Sequence, residues 1–278
     1  LKVIKCYAED VPETGDIVFY YCPSDMIILV PSSSLSEYQS KSPWNEYKLF
    51  VISEVSIIDY DGYSLIYTIT DLENAECKVA CAIKPTSPTT LTIPSNVMIN
   101  ETSFTVTSIP DSAFLECNKF IGDLVIPNTV KSVGIRAFRD CTGFTGSLTL
   151  SENLETIGDL AFAGGGDIEV NYTGDLIIPN TVTSIGSAAF QNCPSLTSVT
   201  FGENSQLTSI GRNAFENCSS LTSIEIPNSV TFIGSSAFSD CSSLTSIEIP
   251  NSVTHIRYET FSACSSLTSI EIPNSITT

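Results

Sequence analysis

The chain is 278 residues long, 42% hydrophobic, and carries 31 acidic against 12 basic side chains, a formal net charge of −19. A field of that sign repels phosphate backbones and anionic lipid, which argues against a nucleic-acid partner or a polybasic hold on a membrane. No stretch of about twenty apolar residues exists to span a bilayer, so no membrane insertion is expected.

The first predicted element is a short helix through Leu35 and Tyr38, capped by the hydroxyls of Ser32 to Ser34 and ended by Pro43. Trp44, Tyr47 and Phe50 follow it as aromatic cover for an apolar end. From Val55 the text alternates apolar and polar, with Asp61-Gly62 as a hairpin turn and strands expected over Ser64 to Thr70 and Cys77 to Ile83. Asp59-x-Asp61-Gly62 has the opening spacing of a calcium loop, but the further oxygen ligands and closing glutamate of such a site are missing. The hairpin is therefore the expectation there.

Beyond residue 91 the sequence repeats. Cys218 to Thr231 (CSSLTSIEIPNSVT) recurs at Cys241 to Thr254, and its first twelve residues recur from Cys264, each copy 23 residues after the last. A looser skeleton runs back to about Leu91, anchored by Phe114, Phe138, Phe162, Phe190, Phe215, Phe238 and Phe261 at steps of 24, 24, 28, 25, 23 and 23 residues. A period of this length marks a solenoid, whose units bury their apolar faces against one another. Within a unit, Ile224 and Ile226 point one way and Ser223 and Glu225 the other, as in a strand. Pro227 ends that strand, having no amide to donate. A second extended piece follows at Val-Thr-x-Ile-Gly, and a helical or 3₁₀ turn is expected to tuck Ala237 and Phe238 inward. The 28-residue step contains Gly164-Gly165-Gly166 and reads as a surface insertion. Seven units stacked at about 5 Å would extend about 35 Å.

The skeleton Leu-x-x-Ile-x-Ile-Pro-x-x-Val-x-x-Ile-Gly-x-x-Ala-Phe-x-x-Cys resembles the leucine-rich repeat of the BspA-like, Treponema pallidum type, over Leu91 to Thr278. The resemblance implies a right-handed, strand-dominated superhelix with short helical or 3₁₀ turns, preceded by a strand-rich capping module. Ile27 to Phe50 is similar to the segment that closes an array in gut Bacteroidetes members of the family, and Val55 to Ile109 to the strand-rich start of a new one. The implied organisation is 1–52 as the closing cap of a preceding array, 53–90 as a strand-rich linker, and 91–278 as about seven repeats. Leu1 is not an expected native start and Thr278 falls early in an eighth unit, so the chain reads as a segment of a longer protein. The family further implies a secreted or cell-surface protein that binds other macromolecules without catalysis or a cofactor.

Six cysteines (Cys117, Cys141, Cys193, Cys218, Cys241 and Cys264) sit three residues after the phenylalanine anchor, and Gly165 takes that place in one unit. Such a column is linear, whereas zinc takes four ligands around a point, and thiols stacked in parallel point the wrong way for disulfides. Buried free thiols are expected. Cys6 and Cys22 are the pair to watch for oxidation, whereas Cys77 and Cys81 on one strand would lie about 13 Å apart.

Two sets of residues are candidates for a partner surface. Glu225, Glu248 and Glu271 occupy the same outward strand position and should stack at about 5 Å on a concave face, either as a solvated column or as a seat for a cation or basic partner. Phe232, Gly234, Ser235 and Ser236 become His255, Arg257, Tyr258 and Glu259 in the next unit, on an outer rim. That change reads either as a contact surface built on Arg257 and Tyr258 or as drift on a solvated edge. His255, the only histidine, replaces Phe232 and is expected to pack half-buried. No nucleophile, base and orienting group appear together, and carboxylates that recur with the period lack the asymmetry of an active site. Asn100, Asn171 and Asn217 match the glycan acceptor pattern, with little room expected at Asn217. Recognition of an unknown protein or host macromolecule is thus the leading function. A passive spacer and end-to-end self-association through the open edge of Ser269 to Ile272 are the alternatives.

Overall fold

Residues 3–6, 27–42, 44, 48–51, 55–99 and 101–277 are described in a computed structural model of the chain. The Leu-x-x-Ile-x-Ile segments form short parallel strands that pair only with the same segment of neighbouring units. Gly174–Ile178, Leu196–Phe201, Ser223–Glu225, Ser246–Glu248 and Ser269–Glu271 make one five-stranded sheet, and Gly122–Val125 pairs with Phe144–Thr149 ahead of it. The register is residue for residue: Ile224 lies beside Ile247, and Ile247 beside Ile270. A one-residue slip would turn every isoleucine to solvent, which is why the register holds.

The second extended piece forms strands of two residues, Ser132–Val133, Thr156–Ile157, Ser184–Ile185, Ser209–Ile210 and Phe232–Ile233, again parallel. This sheet continues backwards through Thr102–Ile109 into an antiparallel meander of Glu76–Ile83, Tyr63–Asp71 and Val55–Tyr60. The Asp61-Gly62 hairpin forms as expected, with Tyr60 opposite Tyr63 and Gly62 at φ +87°. The meander thereby covers the apolar face of the first coil, a role that repeat arrays require at their ends. Residues before it form a parallel sheet of Val3–Lys5, Ile27–Val30 and Lys48–Val51.

The helix predicted near Leu35 is present as Leu35–Ser40, preceded by a 3₁₀ turn at Ser32–Ser34, but Ser34 makes no side-chain capping bond. Ser34 is itself buried. Trp44 is buried edge-on against Tyr38 at 5.2 Å. Tyr47 and Cys22 lie outside the described residues, and so does the side chain of Phe50.

The third side of each coil is the short turn expected around the anchor, with Ala237 and Phe238 buried. Around each anchor the backbone makes single turns bonded three residues apart, such as Ala137 N–H to Gly134 O and Arg139 N–H to Arg136 O, and none continues as a helix. The reason is a left-handed residue two positions to either side of the phenylalanine: Arg136 and Asp140 at φ 56° and 60°, Asn213 and Asn217 at 57° and 60°. Each costs about 1–2 kcal/mol relative to a right-handed conformation. The offset is a bond to the next coil. Arg136 N–H donates to Asp159 O, Phe138 N–H to Ala161 O and Asp140 N–H to Ala163 O, at 2.7–2.9 Å.

The core is a set of columns. The seven anchor rings stack nearly parallel, with centroids 4.9–5.8 Å apart from Phe114 to Phe261. Behind them Tyr63, Phe120, Phe144 and Tyr172 form a second aromatic run that crosses from the meander into the array. All six column thiols are buried and free. They are more than small apolar groups, since Cys141 donates to Phe114 O at 3.0 Å and Cys241 to Phe215 O at 3.2 Å, one coil back. Gly165 interrupts the column because the Arg139 guanidinium fills the space that a side chain there would need. The insertion after it is exposed over Gly166 to Glu169, and Asn192 Nδ2 ties it down through the carbonyls of Gly164 and Gly166.

Thiol burial sets a pH dependence. Desolvation raises Cys77 to about 11 and Cys141 to about 12, and it pushes Cys193 and Cys218 up as well. In the unfolded chain a thiol ionises near pH ~8.5. Below that pH both states are protonated and the stability is whole. Above it only the unfolded chain gains from ionisation, so stability falls by about 1.4 kcal/mol per pH unit per thiol until the folded value is reached. Denaturant titrations at pH 7, 9 and 10 should show this fall, and Cys218→Ala should reduce its slope by one thiol's share. A flat profile would contradict buried, protonated thiols.

Candidate recognition surface

Glu225, Glu248 and Glu271 stand directly beside one another in the register of the first sheet, and all three are exposed. The sheet has brought them together because the isoleucines flanking Glu225 and Glu248 are buried, which fixes the register that Glu271 then follows. The same outward column begins earlier with other chemistry: Val125 beside Thr149, then Ile177 beside Thr200, which precedes Glu225. Val125 and Ile177 are 53% and 65% exposed. Sequence reading found the identical glutamates and missed these two, whose only signal is their position before the turn prolines.

A parallel column two residues earlier is polar. Asp123 Oδ1 accepts from Ser147 N–H at 2.7 Å and from its hydroxyl at 3.0 Å, and Asp175 Oδ1 accepts from the Ser198 hydroxyl at 2.5 Å. Between these columns and the turns lies a cleft of about 700 Å³, lined by Thr200, Glu203, Ser223, Glu225, Asn228 and Glu248 among others. Its lining offers hydroxyls, carboxylates and a turn amide, a set suited to donors and cations.

The rim residues stand on the second sheet side, apart from the glutamates. The Arg257 guanidinium lies over the Phe232 ring, 4.5 Å from its centroid. Tyr258 is 74% exposed, and its hydroxyl is raised from its ordinary range by a hydrogen bond to Glu259 and by that group's charge. His255 is not half-buried as expected. It is exposed, with Nδ1 2.8 Å from the Thr254 hydroxyl. Its counterpart Phe232 is itself the outward residue of a two-residue strand and is 39% exposed, so the position never belonged to the core. Asn217 is likewise exposed, with Nδ2 bonded to Asn192 Oδ1 at 2.9 Å.

Arg257 also ends a ladder. In five units Ile-Gly or Val-Gly closes the second strand, and Gly158, Gly186, Gly211 and Gly234 pass so near the glycine one coil back that an added Cβ would sit 2.5–2.6 Å from its carbonyl carbon. Arginine cannot approach that closely. Strand pairing stops at Phe232–Ile233, while the turn side continues through Ser236 N–H to Tyr258 O. The seventh unit therefore presents Arg257 and Tyr258 on a backbone released from the sheet.

Parallel strands in register, one inward isoleucine set per coil and a stacked phenylalanine column together define a leucine-rich-repeat solenoid. The model of the BspA type leucine rich repeat region matches residues 107–170 and 169–278 in six copies, and the chain belongs to that family. Its fold is similar to a leucine-rich repeat protein of Eubacterium ventriosum at 20% identity and TM-score 0.53, covering 90% of this chain and 55% of that one. The T. pallidum leucine-rich repeat protein is similar at 23% identity and TM-score 0.48, covering 77% and 81%. A leucine-rich cell surface protein of Faecalibacterium prausnitzii is similar at 21% identity and TM-score 0.38, covering 80% and 89%. No curated protein matches the chain. Among the described residues no helix is long and apolar enough to cross a membrane.

Proposed function

We propose that the chain is a non-catalytic recognition protein, secreted or held at a bacterial surface, that binds a protein or host macromolecule through the outward columns of its first sheet. The observation that supports this is the register-locked run of Glu225, Glu248 and Glu271 beside the polar cleft. Like charges about 5 Å apart repel by about 1 kcal/mol per pair in water, less in salt. Nothing in the packing requires glutamate there, since threonine and isoleucine occupy the same column elsewhere. A basic partner would turn that repulsion into attraction.

The test is capture from mucosal extract by the intact chain and by the triple variant Glu225→Gln, Glu248→Gln, Glu271→Gln. A partner lost by the variant, and lost by the parent chain at high salt, supports the reading. A profile unchanged by this variant and by Arg257→Ala with Tyr258→Ala would instead favour a passive spacer, whose output depends on repeat number alone.

A further inference from the structure

The thiol column begins at an unusual place. In later coils each thiol has a carbonyl acceptor one coil back, as Cys218 has Phe190 O at 3.3 Å and Cys264 has Phe238 O at 3.1 Å. Cys117 lies in the first coil and has no anchor phenylalanine behind it. Strand Glu76–Ile83 takes that space instead. It runs parallel beside Thr102–Ile109, and Cys81 N–H donates to Ala113 O at 2.9 Å, much as Phe114 N–H reaches Ala137 O one coil further on. Cys81 is thereby set against the array core, and its thiol and that of Cys117 share a hydrogen bond. Cys117 is 1% exposed, whereas Cys81 is only partly buried and open to a small reagent. The hydrogen bond to Cys81 and burial push the Cys117 thiol well up, and burial pushes up Cys141, with the charge of Lys84 a smaller opposing effect on both.

We propose that Cys81 and Cys117 are a redox clasp, closing as a disulfide between the strand-rich meander and the first coil by exchange with a low-molecular-weight disulfide. In the first step the Cys81 thiol loses its proton to solvent and attacks one sulfur of oxidised glutathione, forming a mixed disulfide and expelling one glutathione thiolate. In the second step Cys117 attacks Cys81 Sγ as its proton passes to the departing glutathione sulfur, breaking the mixed disulfide and releasing the second glutathione as a thiol. Two protein thiols are oxidised and one glutathione disulfide is reduced to two thiols. Bond formation requires the sulfurs to close to about 2 Å, which a rotation of the partly exposed Cys81 side chain can provide. The other column thiols do not follow, because their neighbours are carbonyl oxygens and their surroundings are sealed. The clasp would fix the cap onto the array and so remove fraying of its first interface, since a cross-link restricts the opened state.

The test uses the full chain, reduced and then exposed to oxidised glutathione, alkylated, and digested without reductant. The expected result is one cross-linked peptide pair containing Cys81 and Cys117, a melting temperature higher by several degrees, and reversal of both by dithiothreitol. Cys81→Ser, at a partly exposed position that should still fold, should show neither effect, and Cys117→Ala should hold glutathione on Cys81 as a stable mixed disulfide. Glutathione retained on Cys81 of the parent chain, cross-links confined to other cysteines, or Cys81 alkylated to the same extent with and without oxidant would each overturn the proposal.

Discussion

Phe190→Ala is expected to cost about 3–5 kcal/mol, the range for deleting a fully buried aromatic ring. The ring is stacked between Phe162 and Phe215 at 5.4 Å on both sides, and no part of it reaches solvent. Aromatic pairs contribute about 0.5–1.5 kcal/mol beyond buried area, so an interior ring loses two such contacts. Phe261 has one stacked neighbour, Phe238 at 5.8 Å, and is only partly buried. Phe261→Ala should therefore cost less than half as much. Because each coil touches only its neighbours, a gap at Phe190 divides the array into two shorter blocks. Calorimetry of the variant should resolve two transitions where the parent chain has one, and the last three coils should melt first, since the meander caps only the other block. Equal losses at positions 190 and 261 would mean that the rings are not a column in solution.

The architecture was legible because packing repeats. Inward positions face the same neighbours in every coil, so Phe114 to Phe261 and the Ile224, Ile247 and Ile270 series keep one residue type and expose the period. The turn ladder was not legible for the converse reason. Its left-handed positions hold serine, arginine, leucine, alanine, asparagine and glutamate, at Ser112, Arg136, Leu160, Ala188, Asn213 and Glu259. Bonds to the next coil impose that conformation, and no side-chain preference announces it. His255 was misplaced because an aromatic counterpart was taken as a sign of burial, whereas Phe232 lies outside and serves Arg257. The glutamate column could be found only where it is identical. Outward side chains are released from packing, so Val125 and Ile177 carry no period to betray that they share its face.

The glycine that follows each second strand has an ordinary φ, so its backbone would accept alanine and space alone forbids it. At Gly186 a new Cβ would stand 2.5 Å from the Gly158 carbonyl carbon, and the atom it meets is backbone on both sides. No side chain can swing away to relieve it. Gly186→Val should therefore cost about 3 kcal/mol or more, at the upper end for overpacking, and break the Gly186 N–H to Ile157 O bond of 3.0 Å. Hydrogen exchange should show fast exchange at Gly186 and its neighbours, with the first sheet still protected. The reverse substitution gives the sharper test. Arg257→Gly restores the ladder residue and should extend strand pairing to His255 and Ile256, gaining a cross-coil bond of about 1 kcal/mol while losing a cation–π contact of about 0.5–1 kcal/mol. The two nearly cancel in stability, so the readout is slowed amide exchange at residues 255–257 with a melting temperature almost unchanged. If that variant also loses a captured partner, arginine stands in the glycine column because the released rim binds. If it keeps the partner, the rim is only where the ladder happens to stop.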